Sequence, residues 1–258
     1  ISYRVYRGTT QNFSSMIVLT DTTNNNYEDV TGVFNTNYFY RILPVSLDGD
    51  GVESDYVIGI LYLAPPVCPT LTATQSTYTN KISLSWNFVS TATNYRVYRD
   101  GIEISNLVTN SFDDTNIQPG IVYTYTVKSE NQAGLCISDT NQTNVAYGWA
   151  KLLPPQNLSA ADRLSESYIE LSWSASQNAS YYNVYRRQVG NSNFQLIASV
   201  NTTSYQDTNT DLVYNQTYVY TVSAAFQANG QEQESNQSNI DTGVLKNPTP
   251  GTPSITVS

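Results

Sequence analysis

Three near-identical pentapeptides set the frame for the whole chain: Tyr3-Arg-Val-Tyr-Arg7, Tyr95-Arg-Val-Tyr-Arg99 and Tyr182-Asn-Val-Tyr-Arg186. They begin 92 and 87 residues apart, a spacing that gives one small domain to each copy. Downstream of each comes an aromatic with an aspartate two residues on: Tyr27 and Asp29, Phe112 and Asp114, Tyr205 and Asp207. A second alternating segment follows in the same order, with Tyr38, Tyr40 and Ile42, then Tyr123, Tyr125 and Val127, then Tyr218, Tyr220 and Val222. The second and third copies also carry an upstream segment ending in Leu-Ser-Trp, built on Ile82, Leu84 and Trp86 and on Ile169, Leu171 and Trp173.

A period of two means strands with one face buried and one solvated. Thr, Ser, Asn, Val and the 21 tyrosines dominate the composition, which suits pleated strands joined by polar turns. Several such strands per repeat, separated by Asn, Asp and Gly turns, imply sandwiches. Two proline pairs, Pro65-Pro66 and Pro154-Pro155, precede the upstream segments and read as connections between modules.

The order of these landmarks resembles that of fibronectin type III modules. The family pattern is a leading Pro, a Leu-x-Trp on the second strand and a Tyr-x-Val-Tyr-Arg on the third. A Pro-Gly-x-x-Tyr-x-Tyr-x-Val then enters the sixth strand, and a Gly-containing hairpin follows. The middle copy supplies all of it with Pro66, Trp86, Tyr95 to Arg99, Pro119-Gly120, Tyr123 to Val127 and Gly134; the third has Tyr214-Asn215 in place of Pro-Gly. The resemblance implies an all-β chain of tandem Ig-like sandwiches. Residues 1–64 would be a module lacking its first two strands, 65–152 and 153–247 complete modules, and 248–258 a linker with the first strand of a further one. The flavour resembles modules of prokaryotic surface and secreted proteins. The first module opens at its third strand, so the chain reads as a window on a longer array, or as one whose missing strands come from another subunit.

The resemblance also assigns residues. Trp86 and Trp173 would be core residues, and Tyr38, Tyr123 and Tyr218 the corner tyrosines whose hydroxyls tie back to nearby backbone. Cys68 opens the first strand of the middle module and Cys136 follows its Gly134 hairpin. The family topology puts both at one pole, so a disulfide is expected, with two unpaired cysteines as the alternative. Trp149 and Tyr62 lie next to the proline pairs and are read as packing in the joints between modules.

Other features carry less. Asp48-Gly-Asp-Gly-Val-Glu53 resembles a fragment of a calcium loop, with Asp48, Asp50 and Glu53 as candidate ligands, but Asp-Gly pairs are also ordinary turn chemistry. Asn-x-Ser/Thr sequons occur at Asn12, Asn141, Asn157, Asn178, Asn201, Asn215 and Asn236, close to chance for this composition. Arg99-Asp100-Gly101 reads as a hairpin turn.

Composition narrows the function. There is no histidine, which removes the commonest general base and the commonest zinc ligand. A net charge of −9 with 12 Lys and Arg argues against nucleic acid or an anionic membrane as partner. No apolar run is long enough to span a bilayer. With no phosphate loop and its carboxylates in turns, the chain is read as non-enzymatic and without cofactor. The expected function is a stalk, spacer or filament segment of an extracellular or cell-surface protein. Its partners would be neighbouring modules and sister chains. The alternative is glycan- or protein-binding modules, or accessory modules of a secreted carbohydrate-active or proteolytic enzyme.

Overall fold

In the computed structural model, residues 1–137, 142–251, 253 and 255 are described. Asn141 and most of the Thr252–Ser258 tail, with the expected first strand of a further module, lie outside the described residues. The chain divides into two compact units, Ile1–Pro66 with Glu130–Leu135, and Val67–Ser129 with Cys136–Ser258. The strand pairs whose register the described residues define are antiparallel within the sheets.

The first repeat forms one sheet from β1 (Ser2–Gly8), β2 (Ile17–Thr22), β3 (Asn37–Ser46), β4 (Gly49–Asp50) and β5 (Val57–Ile60). The order is β2-β1-β3-β4, with β5 also on β3. Val5 and Tyr38 turn to its inner face and are buried, yet Ile42 beside them is 44% exposed. The equivalent Val127 and Val222 are 0% exposed. The difference is a missing layer: among the described residues no second sheet covers this face, and an open groove of about 490 Å³ runs along it past Val5, Tyr27, Tyr40 and Ile42.

The second repeat has both layers. Its strands are β6 (Leu71–Ala73), β7 (Ile82–Trp86), β8 (Asn94–Arg99), β9 (Ile102–Leu107), β10 (Ser111–Asp114), β11 (Val122–Asn131), β12 (Gly134–Leu135) and β13 (Val145–Trp149). One sheet is β10-β7-β6; the other is β12-β11-β8-β9 with β13 on β11. The third repeat follows the same order with β14 (Gln156–Ala160), β15 (Ile169–Ser174), β16 (Tyr181–Gln188), β17 (Gln195–Val200), β18 (Ser204–Asp207), β19 (Tyr218–Ala228), β20 (Gln231–Glu234) and β21 (Asp241–Gly243). Its sheets are β14-β15-β18 and β17-β16-β19-β20, with β21 on β19.

The alternation dictates the core. Ile82, Leu84 and Trp86 from one layer meet Tyr95, Val97, Tyr125 and Val127 from the other. Ile169, Leu171 and Trp173 meet Tyr182, Val184, Tyr220 and Val222 in the same way. Each tryptophan packs edge-on against the tyrosine at the second position of the next strand, at 5.6 Å for Trp86 with Tyr95 and for Trp173 with Tyr182. The hydroxyls of Tyr95 and Tyr182 accept the backbone N–H of Val89 and Ser176 at 2.8 and 3.0 Å, so each ring is fixed at both ends.

Candidate functional site

The polar constellation common to all three repeats joins the closing arginine of the pentapeptide to the repeated aspartate. Arg7 Nη1 lies 2.8 Å from Asp29 Oδ2, Arg99 Nη1 2.8 Å from Asp114 Oδ2, and Arg186 Nη1 2.8 Å from Asp207 Oδ2. The same oxygen accepts a tyrosine hydroxyl, from Tyr40 and Tyr125 at 2.8 Å and from Tyr220 at 2.9 Å. The other carboxylate oxygen accepts a backbone N–H two residues on, at Thr31, Asn116 and Asn209. Each guanidinium stacks on the neighbouring corner ring, 4.5 Å from Tyr38 and 5.1 Å from Tyr123 and Tyr218. Charge, hydroxyl and turn are all satisfied, as a buried carboxylate requires.

Burial pushes the Asp29 carboxyl up, but Thr31, Tyr40 and Arg7 outweigh it and hold it well below the usual carboxylate range. Burial and the Asp29 bond push the Tyr40 phenol up to about 12. A carboxylate held ionised by an arginine and a phenol held neutral form a structural lock. They are not an acid-base pair poised near neutrality.

The corner tyrosines use their hydroxyls on the chain five residues back. Tyr38 accepts from Val33 N at 3.1 Å, Tyr123 from Gln118 N at 3.0 Å, and Tyr218 from Val213 N at 2.9 Å. Sequence reading missed what stands opposite them in the register: Gly59, Gly148 and Gly243. A Cβ on Gly148 would come within 2.7 Å of Ile82 Cγ2, and one on Gly243 within 2.5 Å of Ile169 Cγ2. The glycines let the last strand close onto the core.

Cys68 and Cys136 form a disulfide with their Cα atoms 5.2 Å apart. Ser129 helps hold that pole together, its Oγ donating to Val67 O at 2.6 Å. Asp48, Asp50 and Glu53 do not converge. Ser46 Oγ bridges the turn to Gly49 O and Asp48 N, Asp50 lies 3.9 Å from Arg4, and the described residues contain no group of three such ligands. Asp100 and Gly101 both take positive φ, as a two-residue hairpin turn requires.

Within the second unit, Trp149 stands on β13 yet joins the apolar core of the third repeat, 3% exposed. Its Nε1 donates to Ser76 Oγ at 3.1 Å, and Ser76 Oγ in turn donates to Gln233 Oε1 at 2.9 Å. Lys151 Nζ donates to Asn236 Oδ1 at 2.7 Å, and Asn178 Nδ2 to Pro119 O at 2.8 Å. Gly120, at φ +77°, leaves room for Leu152, whose Cδ2 lies 2.5 Å from where a Cβ would stand. Tyr62 is 74% exposed.

The class defined by this arrangement is an all-β chain of tandem Ig-like modules, and each of the three repeats carries the same polar lock. Residues 153–241 match the fibronectin type III domain and are such a domain; the repeat before them has the same strand order. The chain is 29% identical over 126 residues to a poly(3-hydroxybutyrate) depolymerase of Ralstonia pickettii, covering 46% of this chain and 24% of the depolymerase. It is 26% identical over 245 residues to exoglucanase B of Cellulomonas fimi, covering 86% of this chain and 21% of the exoglucanase. The chain thus spans about a quarter of these curated relatives or less. Among solved structures, a two fibronectin type III domain segment of chicken tenascin aligns at TM-score 0.48 and 19% identity, covering 70% of this chain and 99% of that one.

Proposed function

We propose that the chain is a non-catalytic structural segment, a stalk or spacer of an extracellular or cell-surface array. Its modules would meet at residues 64/65, 152/153 and 247/248. The observation that carries this reading is where the exposed aromatics lie. Glycan-binding sheets present a row of rings on one strand face. Of the exposed aromatic residues described here, Tyr27, Phe34, Tyr56, Tyr62, Tyr78, Phe88, Tyr147 and Tyr214, Tyr147 alone stands on a strand. Of the remaining rings, many lie in the cores or at the Trp149 joint, and others, such as Tyr6, Tyr98 and Tyr185, stand half-buried on strands. The Cys68–Cys136 disulfide supports an oxidising compartment, and no described helix is long and apolar enough to cross a membrane.

A second reading is favoured by the relatives. Both are named as enzymes acting on polymers, and this chain spans only a minor part of each. Accessory modules beside a polymer-degrading catalytic domain would use the same stiff joint to hold that domain at a distance.

Affinity electrophoresis in soluble glucans and xylan, with pull-down on insoluble cellulose, tests the spacer reading. The expected result is no retardation, no retention and no hydrolysis. Retention on a polysaccharide that Tyr147→Ala abolishes would replace it with a binding role. The sequence of the gene on either side then separates the surface array from the enzyme accessory.

A further inference from the structure

The outer face of the larger sheet in the third repeat carries a cluster built on Asn183, Glu232 and Glu234, where the pentapeptides of the other two repeats have Arg4 and Arg96. Thr221, Ser223 and Ala225 on β19 are small and 0% exposed, so longer side chains from both neighbouring strands close over them. Asn183 stands opposite Ser223 on one side, and Glu234 opposite Ala225 on the other. Asn183 Nδ2 donates to Glu232 Oε1 at 2.6 Å and to Glu234 Oε1. Tyr185 OH donates to Glu234 Oε1 at 2.8 Å, and Ser199 Oγ to Asn183 Oδ1 at 2.6 Å. Two carboxylates meet here, and among the described residues no Lys or Arg pairs with either of them.

The sister repeats act as internal controls. Position 183 of the pentapeptide is arginine in both: Arg4 pairs with Asp21 at 2.8 Å, and Arg96 with Glu103 at 3.3 Å. Position 223 corresponds to Lys128 of the second repeat. The third repeat replaces both of the second repeat's cations with neutral, oxygen-bearing side chains and adds two glutamates. Ser223 supplies a separate observation. It is wholly buried on the cluster's own face, beside the Tyr185 hydroxyl, and its Oγ has no partner at ordinary hydrogen-bond distance and angle. A buried hydroxyl left so is destabilising.

We propose that Glu232, Glu234, Ser223 and Asn183 form a site for a hard divalent cation of the calcium class, taking the place of the sister arginine. Two carboxylates and a hydroxyl supply oxygen ligands, and waters complete the shell. Rotating the Asn183 amide by half a turn presents Oδ1 to the ion and Nδ2 to Ser199 Oγ, which accepts as readily as it donates. Tyr185 then orients Glu234 from outside the shell. Two carboxylates place the affinity in the weak range of extracellular modules, about 0.1–1 mM.

The test uses the full chain freed of metal with a chelator. Terbium replaces calcium and is excited through a nearby tyrosine, here Tyr185 or Tyr181. The expected result is tyrosine-sensitised terbium emission that calcium displaces. It should fall at least fivefold in Glu234→Gln and in Asn183→Arg, and persist in Asp50→Asn. Calcium at several millimolar should raise the Tm of the parent chain by about 3 °C and leave Asn183→Arg unmoved. Asn183→Arg restores the residue of two folded sister repeats, which guards against a variant that merely fails to fold. Emission insensitive to both substitutions, or a parent Tm indifferent to calcium, overturns the proposal. So does stabilisation of the metal-free chain by Glu234→Gln with no terbium signal in the parent, since the pair would then hold a proton.

Discussion

In the third repeat Arg186 Nη1 sits 2.8 Å from Asp207 Oδ2, with the Asp207 side chain 0% exposed. That carboxylate also accepts Tyr220 OH at 2.9 Å. Removing the arginine would leave a charge buried without its partner, which costs about 3–5 kcal/mol. Arg186→Met, and its equivalent Arg99→Met, should lower stability by that amount in urea titrations. Lys81→Met, which breaks the exposed pair with Asp113, should cost less than about 1 kcal/mol. Equal losses from the two kinds of pair would show that the lock contributes nothing special.

The same lock makes the stability of the first unit depend on pH. The Tyr40 phenol is raised to about 12 by burial and the Asp29 bond, so its contribution is complete below about pH 10 and is lost as pH climbs toward 12. Asp29 is shifted the other way, so its contribution is complete above about pH 4 and fades as pH falls below it. Circular dichroism with phenolate absorbance across both limbs should show loss of structure at each end. Tyr40→Phe should blunt the alkaline limb; an unchanged limb would place its origin elsewhere.

Gly148 and Gly243 face the corner tyrosines across the last strand pair. A methyl group at either would stand within 3 Å of the isoleucine beneath it. Gly148→Ala and Gly243→Ala should each cost about 1–3 kcal/mol through overpacking. Pairing Gly243→Ala with Ile169→Val should recover part of the loss in a double-mutant cycle. An additive cycle would show that the contact is not the cause.

How much of this the sequence revealed depends on how local each relationship is. The strands, the Leu-Ser-Trp segments and the corner tyrosines announce themselves by alternation within a few residues. Arg99 and Asp114 were each visible as repeated positions, but nothing local says that an arginine closing one strand meets an aspartate across the sandwich. Gly59, Gly148 and Gly243 recur as faithfully, yet they sit in short, irregular final strands whose register only the fold supplies. No local pattern sets Glu232 and Glu234 apart from other carboxylates. The replacement of arginine by Asn183 within an otherwise constant pentapeptide was the signal available for them.

The disulfide closes a loop with a sequence separation of 68. In the chain-entropy account, a link of that span stabilises by about 4 kcal/mol. Reduction should move the midpoint of the second repeat's unfolding to lower denaturant, and Cys68→Ser with Cys136→Ser should reproduce the shift without reductant. Labelling of both cysteines in the native chain before reduction would contradict the bond.

Trp149 belongs by sequence to the second repeat and by packing to the third, and the Ser76–Gln233 bond ties its indole on both sides. Truncating so buried an aromatic costs about 3–5 kcal/mol, and here the loss falls on the coupling between two sandwiches. The parent chain should melt its second and third repeats in one calorimetric transition. Trp149→Ala should split it in two and lower the third repeat's midpoint more than the second's. Gln233→Ala, which removes only the indole's polar anchor, should lower the midpoint by about 1 kcal/mol equivalent without splitting the transition. A single, uniformly shifted transition in Trp149→Ala would mean that the joint is held by Leu152 and the backbone around Gly120. Gly120→Ala, which drives a methyl into Leu152, would then be the substitution that uncouples the pair.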